Sequence, residues 1–215
     1  MKFFYKTLAI LALATVVFSC NKREIIPAPT REVELKNHFI GIIDGGTVEF
    51  TENVNGFTGS SGVDLIINAA GMDSAVYHSI FSSSQTAQKI SVGHGCLVFD
   101  WGSSERPLLS AFENYFLASP NQTPTFSAGG LSGFTVTYTD ASGREWKSNG
   151  DHEYVNESVE YELMAIESDA SGDYAKFKVT FNTYVYSTYF DNVSQTYITD
   201  RLLITNATYT GWYKR

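Results

Sequence analysis

Along most of this chain apolar and polar residues alternate with a period of two. Phe134-Thr-Val-Thr-Tyr-Thr139 places Phe134, Val136 and Tyr138 on one face and three threonines on the other, as in a strand with one face on a core. Lys176-Phe-Lys-Val-Thr-Phe181 repeats the pattern with Phe177, Val179 and Phe181. Phe39-Ile-Gly-Ile-Ile43, Asp44-Gly45-Gly46 and Thr47-Val-Glu-Phe50 together read as a hairpin. Further strands are expected at 63–67, 76–81 and 96–99. The last third of the chain, through Tyr184-Val-Tyr186, Tyr197-Ile198, Leu202-Leu-Ile204 and Tyr209 to Tyr213, is aromatic and β-branched almost throughout, a composition suited to a pleated, half-buried surface. One segment departs from this period. Pro107 to Leu117 sets Leu108, Leu109, Phe112, Tyr115 and Phe116 at helical spacing, with Pro107 in the first turn and Pro120 and Pro124 beyond the end. Short strands separated by turn signals predict an all-β fold, an antiparallel sandwich or jelly-roll-like domain. The one short helix would plug an end or an open side of the sheets.

The first twenty residues follow a different rule. Lys2 and Lys6 precede and border an apolar run, Thr7 to Phe18, that is too short to span a bilayer, and Ser19-Cys20 closes it. Val17-Phe18-Ser19-Cys20 resembles a bacterial lipobox, which makes residues 1–19 a lipoprotein signal peptide and Cys20 the lipidated N-terminus. Competing readings are an uncleaved anchor and a plain secretory signal; the short run argues against the first. Residues 20–36 carry Pro27 and Pro29 without apolar periodicity and read as a tether, leaving 37–215 as the β domain. No aspartate follows Cys20 and no acidic run is near it, so the cell envelope is the expected location and the outer membrane the favoured one, on either face. The membrane is then a partner through lipid.

Composition narrows the remaining classes. The chain has 215 residues and a net charge of −8; removal of the signal takes Lys2 and Lys6 and no acid, which deepens the charge to −10. Such a chain repels phosphate backbones, and nucleic acid is not an expected partner. With Cys20 lipidated only Cys96 remains, so no intramolecular disulfide can form.

Two turns repeat. Thr139-Asp140-Ala-Ser-Gly143-Arg-Glu-Trp146 and Ser168-Asp169-Ala-Ser-Gly172-Asp-Tyr174 share Asp-Ala-Ser-Gly between strands. Aspartate caps its own turn and glycine takes the position that closes a bulged hairpin. The alternation of oxygens that a calcium loop needs is missing. With the stretch Thr137 to Trp146, the second turn and its strand, and the closing Ala207-Thr-Tyr-Thr-Gly-Trp-Tyr213, the chain resembles an uncharacterised group of Gram-negative envelope lipoproteins that carry a β-sandwich domain. The resemblance covers about residues 90–213. It implies that fold and an envelope location, and brings no catalytic residues to carry over.

Candidate chemistry is sparse. Gly93-His94-Gly95-Cys96 is where histidine and cysteine come nearly together. A structural zinc would need a second such pair, and a thiol nucleophile a separate histidine base; His38, His78 and His152 lie in unrelated contexts. Cys96 is therefore expected to be a small buried hydrophobe, unreactive because burial raises a thiol's pKa. Glu160 and Glu162 flank Tyr161 and could form a carboxylate pair, but alternation puts them on the solvent side. Gly129-Gly130-Leu-Ser-Gly133 is glycine-rich without a following helix to bind phosphate. Among the tryptophans, Trp146 and Trp212 sit in strand patterns that a core explains, whereas Trp101, in Asp100-Trp-Gly-Ser-Ser-Glu105, has polar neighbours and is the ring expected to stack on a ligand. Tyr184, Tyr186 and Tyr189 cannot all face inward. Asp73-Ser74-Ala75 matches a short O-glycan acceptor. No catalytic residue, metal site or cofactor is expected.

The expected function is non-catalytic binding, of glycan or of a partner envelope protein, by a lipid-anchored module. The alternatives are a structural or assembly lipoprotein and, behind it, a carbohydrate-active hydrolase. Cys20→Ala is expected to convert a membrane-fractionating protein into one that stays uncleaved or mislocalised. Fractionation and lipid labelling check this, and unchanged cleavage and labelling would refute it.

Overall fold

Asp44 and Gly45 both have positive φ, 49° and 79°, the two-residue geometry whose twist matches the strands it joins. They connect β1 (His38–Ile43) to β2 (Gly46–Thr51), with Ile43 opposite Gly46. The computed structural model describes residues 32–68, 72–128, 131–150 and 153–215; the signal segment, Cys20, most of the tether, Gly129, Gly130 and His152 lie outside the described residues. Within the stretch assigned to the tether, the Val33 N–H donates to Asp169 Oδ2 at 2.7 Å.

After β2 come β3 (Phe57–Ile66), β4 (Asp73–Ser83), β5 (Lys89–Phe99), helix α1 (Leu109–Leu117), a 3-10 turn (Ser119–Asn121), β6 (Gly133–Thr139), β7 (Glu145–Lys147), β8 (Ser158–Asp169), β9 (Gly172–Asp191) and β10 (Thr196–Lys214). The fold is antiparallel all-β with one short helix, as the alternation predicts. The strands lie in one sheet, ordered β2-β1-β10-β9-β7-β6-β5-β4-β3, with β8 added on β9. This sheet curls as a half-barrel. The Lys214 N–H donates to Ser61 Oγ at 2.9 Å and the Trp212 N–H to Ser79 Oγ at 3.3 Å. Hydroxyls of β3 and β4, at one end of the strand order, thus serve backbone donors of β10 near the other end. They replace ladder bonds that the curl leaves unmade.

β9 is long enough to change neighbours. Residues 172–182 pair with β8, and further along Tyr186 pairs with Lys147 of β7. Beside β9 the sheet therefore divides, and the segment after α1 bridges the division: the Tyr161 N–H donates to the Gln122 carbonyl (2.8 Å), and Phe134 and Ser127 exchange bonds with Thr125 and Phe134.

The helix starts later than expected. Leu108 is its N-cap and makes no side-chain cap, and no charged residue complements either end; Pro107 lies outside, its carbonyl accepting from Arg215 Nη1 at 3.0 Å. Leu108, expected on the apolar face, is 61% exposed. A nine-residue helix without caps is marginal alone. Burial of Phe112 and Phe116 holds it: both meet Tyr77, at 5.2 and 5.3 Å between ring centroids, and Phe116 stacks on Tyr213 at 5.0 Å.

Tyr77 is fully buried and its hydroxyl has no hydrogen-bond partner among the described residues. A buried hydroxyl without a partner costs about 1–3 kcal/mol. Tyr77→Phe is accordingly expected to leave stability unchanged or raise it by about 1 kcal/mol, whereas Phe116→Ala should lose about 3–5 kcal/mol. Denaturant unfolding of both variants checks the pair.

Candidate functional site

Strand alternation that buries Val185 and Ser187 turns Tyr184, Tyr186, Thr188 and Phe190 of β9 to the outer face. Cross-strand partners Leu203, Arg201, Thr199 and Tyr197 of β10 join them there. Beside β7 this face holds an open trough of about 660 Å³, lined by Glu145, Lys147, Ser148, Asn149, Tyr186, Thr188 and Thr199. Its polar groups are ordered by one another. Lys147 Nζ lies 2.9 Å from Glu145 Oε1, Thr188 and Thr199 hydroxyls are 2.8 Å apart, and Glu153 accepts from Tyr186 Oη (3.2 Å) and Arg201 Nη1 (2.8 Å). The Arg201 guanidinium covers the Tyr184 ring at 4.6 Å, and Tyr154 meets that ring edge-on at 5.4 Å. The hydrogen bond from Lys147 holds the Glu145 carboxyl below its ordinary range, against the pull of burial and with help from the charges of Lys147 and Lys89.

Behind the trough Arg144 lies between two rings, 4.2 Å from Trp146 and 4.7 Å from Tyr189. It donates to Ser187 Oγ (2.9 Å) and Asp200 (2.8 Å), so the wall is rigid. Past Thr188 the β9–β10 pair runs on as a two-stranded ribbon with Phe190, Tyr197 and Val193 exposed, Tyr197 at 76%. Leu203 accepts from the Asp44 N–H; among the described residues, Thr196 to Leu202 have no ladder partner on that outer edge.

A second concavity, about 340 Å³, lies against the end of β5 and the start of β6 and is lined by His94, Gly95, Cys96, Tyr115, Asn121 and the following loop, with Ser132 and Gly133. His94 is buried, stacked beside Tyr161, and its Nδ1 is 3.0 Å from Tyr161 Oη, which is 2.8 Å from Tyr213 Oη. Burial lowers the His94 imidazole to about 4 and pushes the phenols of Tyr161, Tyr213 and Tyr115 up. The two glycines beside His94 are steric requirements. A Cβ at Gly95 would collide with the Leu131 carbonyl and one at Gly93 with Thr135 Oγ1.

The expectation for Cys96 needs correction. It is half-buried and lines this cavity rather than the core. The β4–β5 register shifts here, Tyr77 opposite His94 and Ala75 opposite Leu97, which takes Gly95 and Cys96 out of the alternation that would have buried the thiol. Trp101 is half-buried in the turn after β5, its ring edge-on to Phe99 at 6.4 Å and its N–H on Asp73 Oδ2 at 2.7 Å; it shares neither concavity's lining. Trp146 is buried, and its Nε1 donates to Asp140 at 3.0 Å. Trp212 is only half-buried, facing outward against Tyr174 at 5.5 Å. Glu160 and Glu162 are exposed, Glu162 paired with Lys178. Asp140 and Asp169 each accept from the N–H and hydroxyl of the serine two residues on, and these bonds, with that from Val33, bring Asp169 to about 2. In Asp73-Ser74-Ala75 the outer two residues are buried in β4. Among the described residues no cluster of three His, Cys, Asp or Glu side chains is placed to hold a metal ion, and hydrogen bonds hold the carboxyls of Asp140, Glu145, Asp169, Asp173 and Asp191 below their ordinary range. Sequence reading missed the trough: the exposed tyrosines were foreseeable from alternation, but their meeting with Glu145, Lys147 and Asn149 depends on β7 reaching β9.

No protein-family model matches the chain, and no match to it is found among curated proteins or solved structures.

His94 predicts a pH dependence. Its folded pKa, about 4, lies below the ordinary 6.5, so on acidification the unfolded chain takes up the proton first. The stability present above pH 6.5 falls as the pH drops toward 4, by an amount on the order of 3 kcal/mol. Urea midpoints should decline more steeply across this window in the native protein than in His94→Gln.

Proposed function

We propose that this protein is a glycan-binding module, anchored in the cell envelope by lipid on Cys20, that holds its ligand along the outer face of β7, β9 and β10. One observation carries the reading: the Tyr186 ring stands in a polar trough bearing a carboxylate, an ammonium, an amide and several hydroxyls. Aromatic faces take the C–H side of a sugar ring while such groups bond its hydroxyls. Tyr186 and Phe190 share a face four residues apart, about 13 Å along the strand, and Phe190 meets Tyr197 edge-on at 5.3 Å, so the platform has the length of a short oligosaccharide. The membership suggested by the lipobox and the Asp-Ala-Ser-Gly turns, an envelope lipoprotein group with a sandwich-type domain, belongs to the same proposal. For the architecture, the approach of β3 and β4 to β10 supports sandwich-like packing of the two flanks of the curled sheet. The outer membrane is the proposed location.

The free edge of β10 favours a second reading, a partner protein that adds a strand at Thr196 to Leu202. The two readings separate by mutation. Titrated with soluble oligosaccharides, the full chain should bind in the micromolar to millimolar range, and Tyr186→Ala should weaken binding about fivefold or more, as loss of an aromatic contact worth about 1 kcal/mol or more requires. Trp101→Ala should leave the affinity unchanged. Binding insensitive to Tyr186 and lost with Trp101 would move the site to the β5 turn, and absence of binding to any glycan offered would favour the strand-adding partner.

A further inference from the structure

The cavity beside His94 has a donor and an acceptor without partners among the described residues. Tyr213 Oη is fully buried and has one partner, Tyr161 Oη. Its hydrogen must therefore go to Tyr161, whose own hydrogen goes to His94 Nδ1. The opposite order would leave the Tyr213 hydrogen buried and unpaired. This count fixes the His94 tautomer: Nδ1 accepts, Nε2 carries the proton, and Nε2 has no partner among the described residues. Asn121 uses Nδ2 on the Tyr115 carbonyl at 2.7 Å, and its Oδ1, in the same lining, accepts from no group among the described residues.

The cavity is preformed. Its loop wall is pinned by the bonds of Gln122 to Tyr161 and of Thr125 and Ser127 to Phe134. Among the described residues no Lys, Arg, Asp or Glu lines it, and burial keeps His94 neutral, so a charged ligand would lose its hydration without gaining a counter-charge. Its size, about 340 Å³, is at the small end for a ligand site. We propose that this cavity is a second binding site, separate from the trough, for the acetamido group of a small uncharged ligand such as an N-acetylated sugar. His94 Nε2–H donates to the amide carbonyl, Asn121 Oδ1 accepts from the amide N–H, and Tyr115 and Pro124 flank the methyl group. This donor gives the selectivity, because a bound ligand lacking the carbonyl would cover it and leave it unpaired.

The test is side-chain ¹⁵N NMR of the full chain labelled at its 4 histidines, titrated with N-acetylglucosamine, N-methylacetamide and glucose. His94 should show a protonated Nε2 before any addition. Both amides should shift that resonance saturably while glucose does not, and Asn121→Ala should weaken the effect roughly tenfold. Tyr186→Ala should leave it unchanged, which separates this site from the trough. Asn121 is only half-buried, so its variant should keep the fold and leave the Tyr213–Tyr161–His94 relay in place. The proposal is overturned by a protonated Nδ1, by equal shifts with glucose, or by no shift at about 100 mM amide, well above the millimolar affinity of one small ring.

Discussion

A sheet that curls must fill its concave side, and here aromatic rings do so. Tyr213 of β10 lies between Phe116 of the helix at 5.0 Å and Phe177 of β9 at 4.5 Å, stacked on both, while Tyr77 of β4 meets Phe112, Phe116 and Tyr213. Three separate strands and the helix are thus joined through one cluster. The helix, short and uncapped, forms because its two phenylalanines complete this cluster; the sheet holds its curl because the helix is there. Large rigid rings suit the task, since each buries much area at small rotamer cost.

The cluster carries polar atoms into the core, and their treatment is uneven. Tyr209 Oη bonds Ser79 Oγ at 3.0 Å, and Tyr213 joins the relay through Tyr161 to His94, whereas Tyr77 has nothing. The relay exists because β9 exchanges β8 for β7 part-way along. That exchange leaves Tyr161 of β8 against His94 of β5, two strands that are not paired, and the loop after α1 walls the concavity on the other side of His94.

The outer face follows from the same alternation. Every inward residue of β9 has an outward neighbour, and beyond the core these neighbours are tyrosines, threonines and a phenylalanine rather than the lysines that blunt an exposed sheet. The trough thereby combines ring faces with hydrogen-bonding groups on a rigid wall backed by Arg144, Trp146 and Tyr189. This arrangement suits a ligand that is amphipathic on the scale of a single ring.

The sequence by itself determined what depends on neighbours a few residues away. Period-two alternation marked β1, β2, β6 and much of β4 and β9 with their core-facing residues, Asp44-Gly45 and the two Asp-Ala-Ser-Gly segments marked turns, and helical spacing marked α1 to within two residues. The exposure of part of the Tyr184–Tyr189 set was legible for the same reason. What only the tertiary structure decided involves residues far apart in the chain. The change of partner along β9 brings in β7 from over thirty residues away and so makes the trough, and the cavity beside His94 is assembled from β5, α1, the loop after it and β6. The register shift at Gly95 and Cys96 is set by packing against β4 and by the Leu131 carbonyl, so a period-two reading buried a thiol that in fact faces a cavity. Trp101 looked exposed from its polar neighbours, yet its ring rests half-buried on Phe99. Local periodicity specifies which side of a strand is apolar; it does not specify which strand will lie beside it, and both candidate sites are made by that second choice.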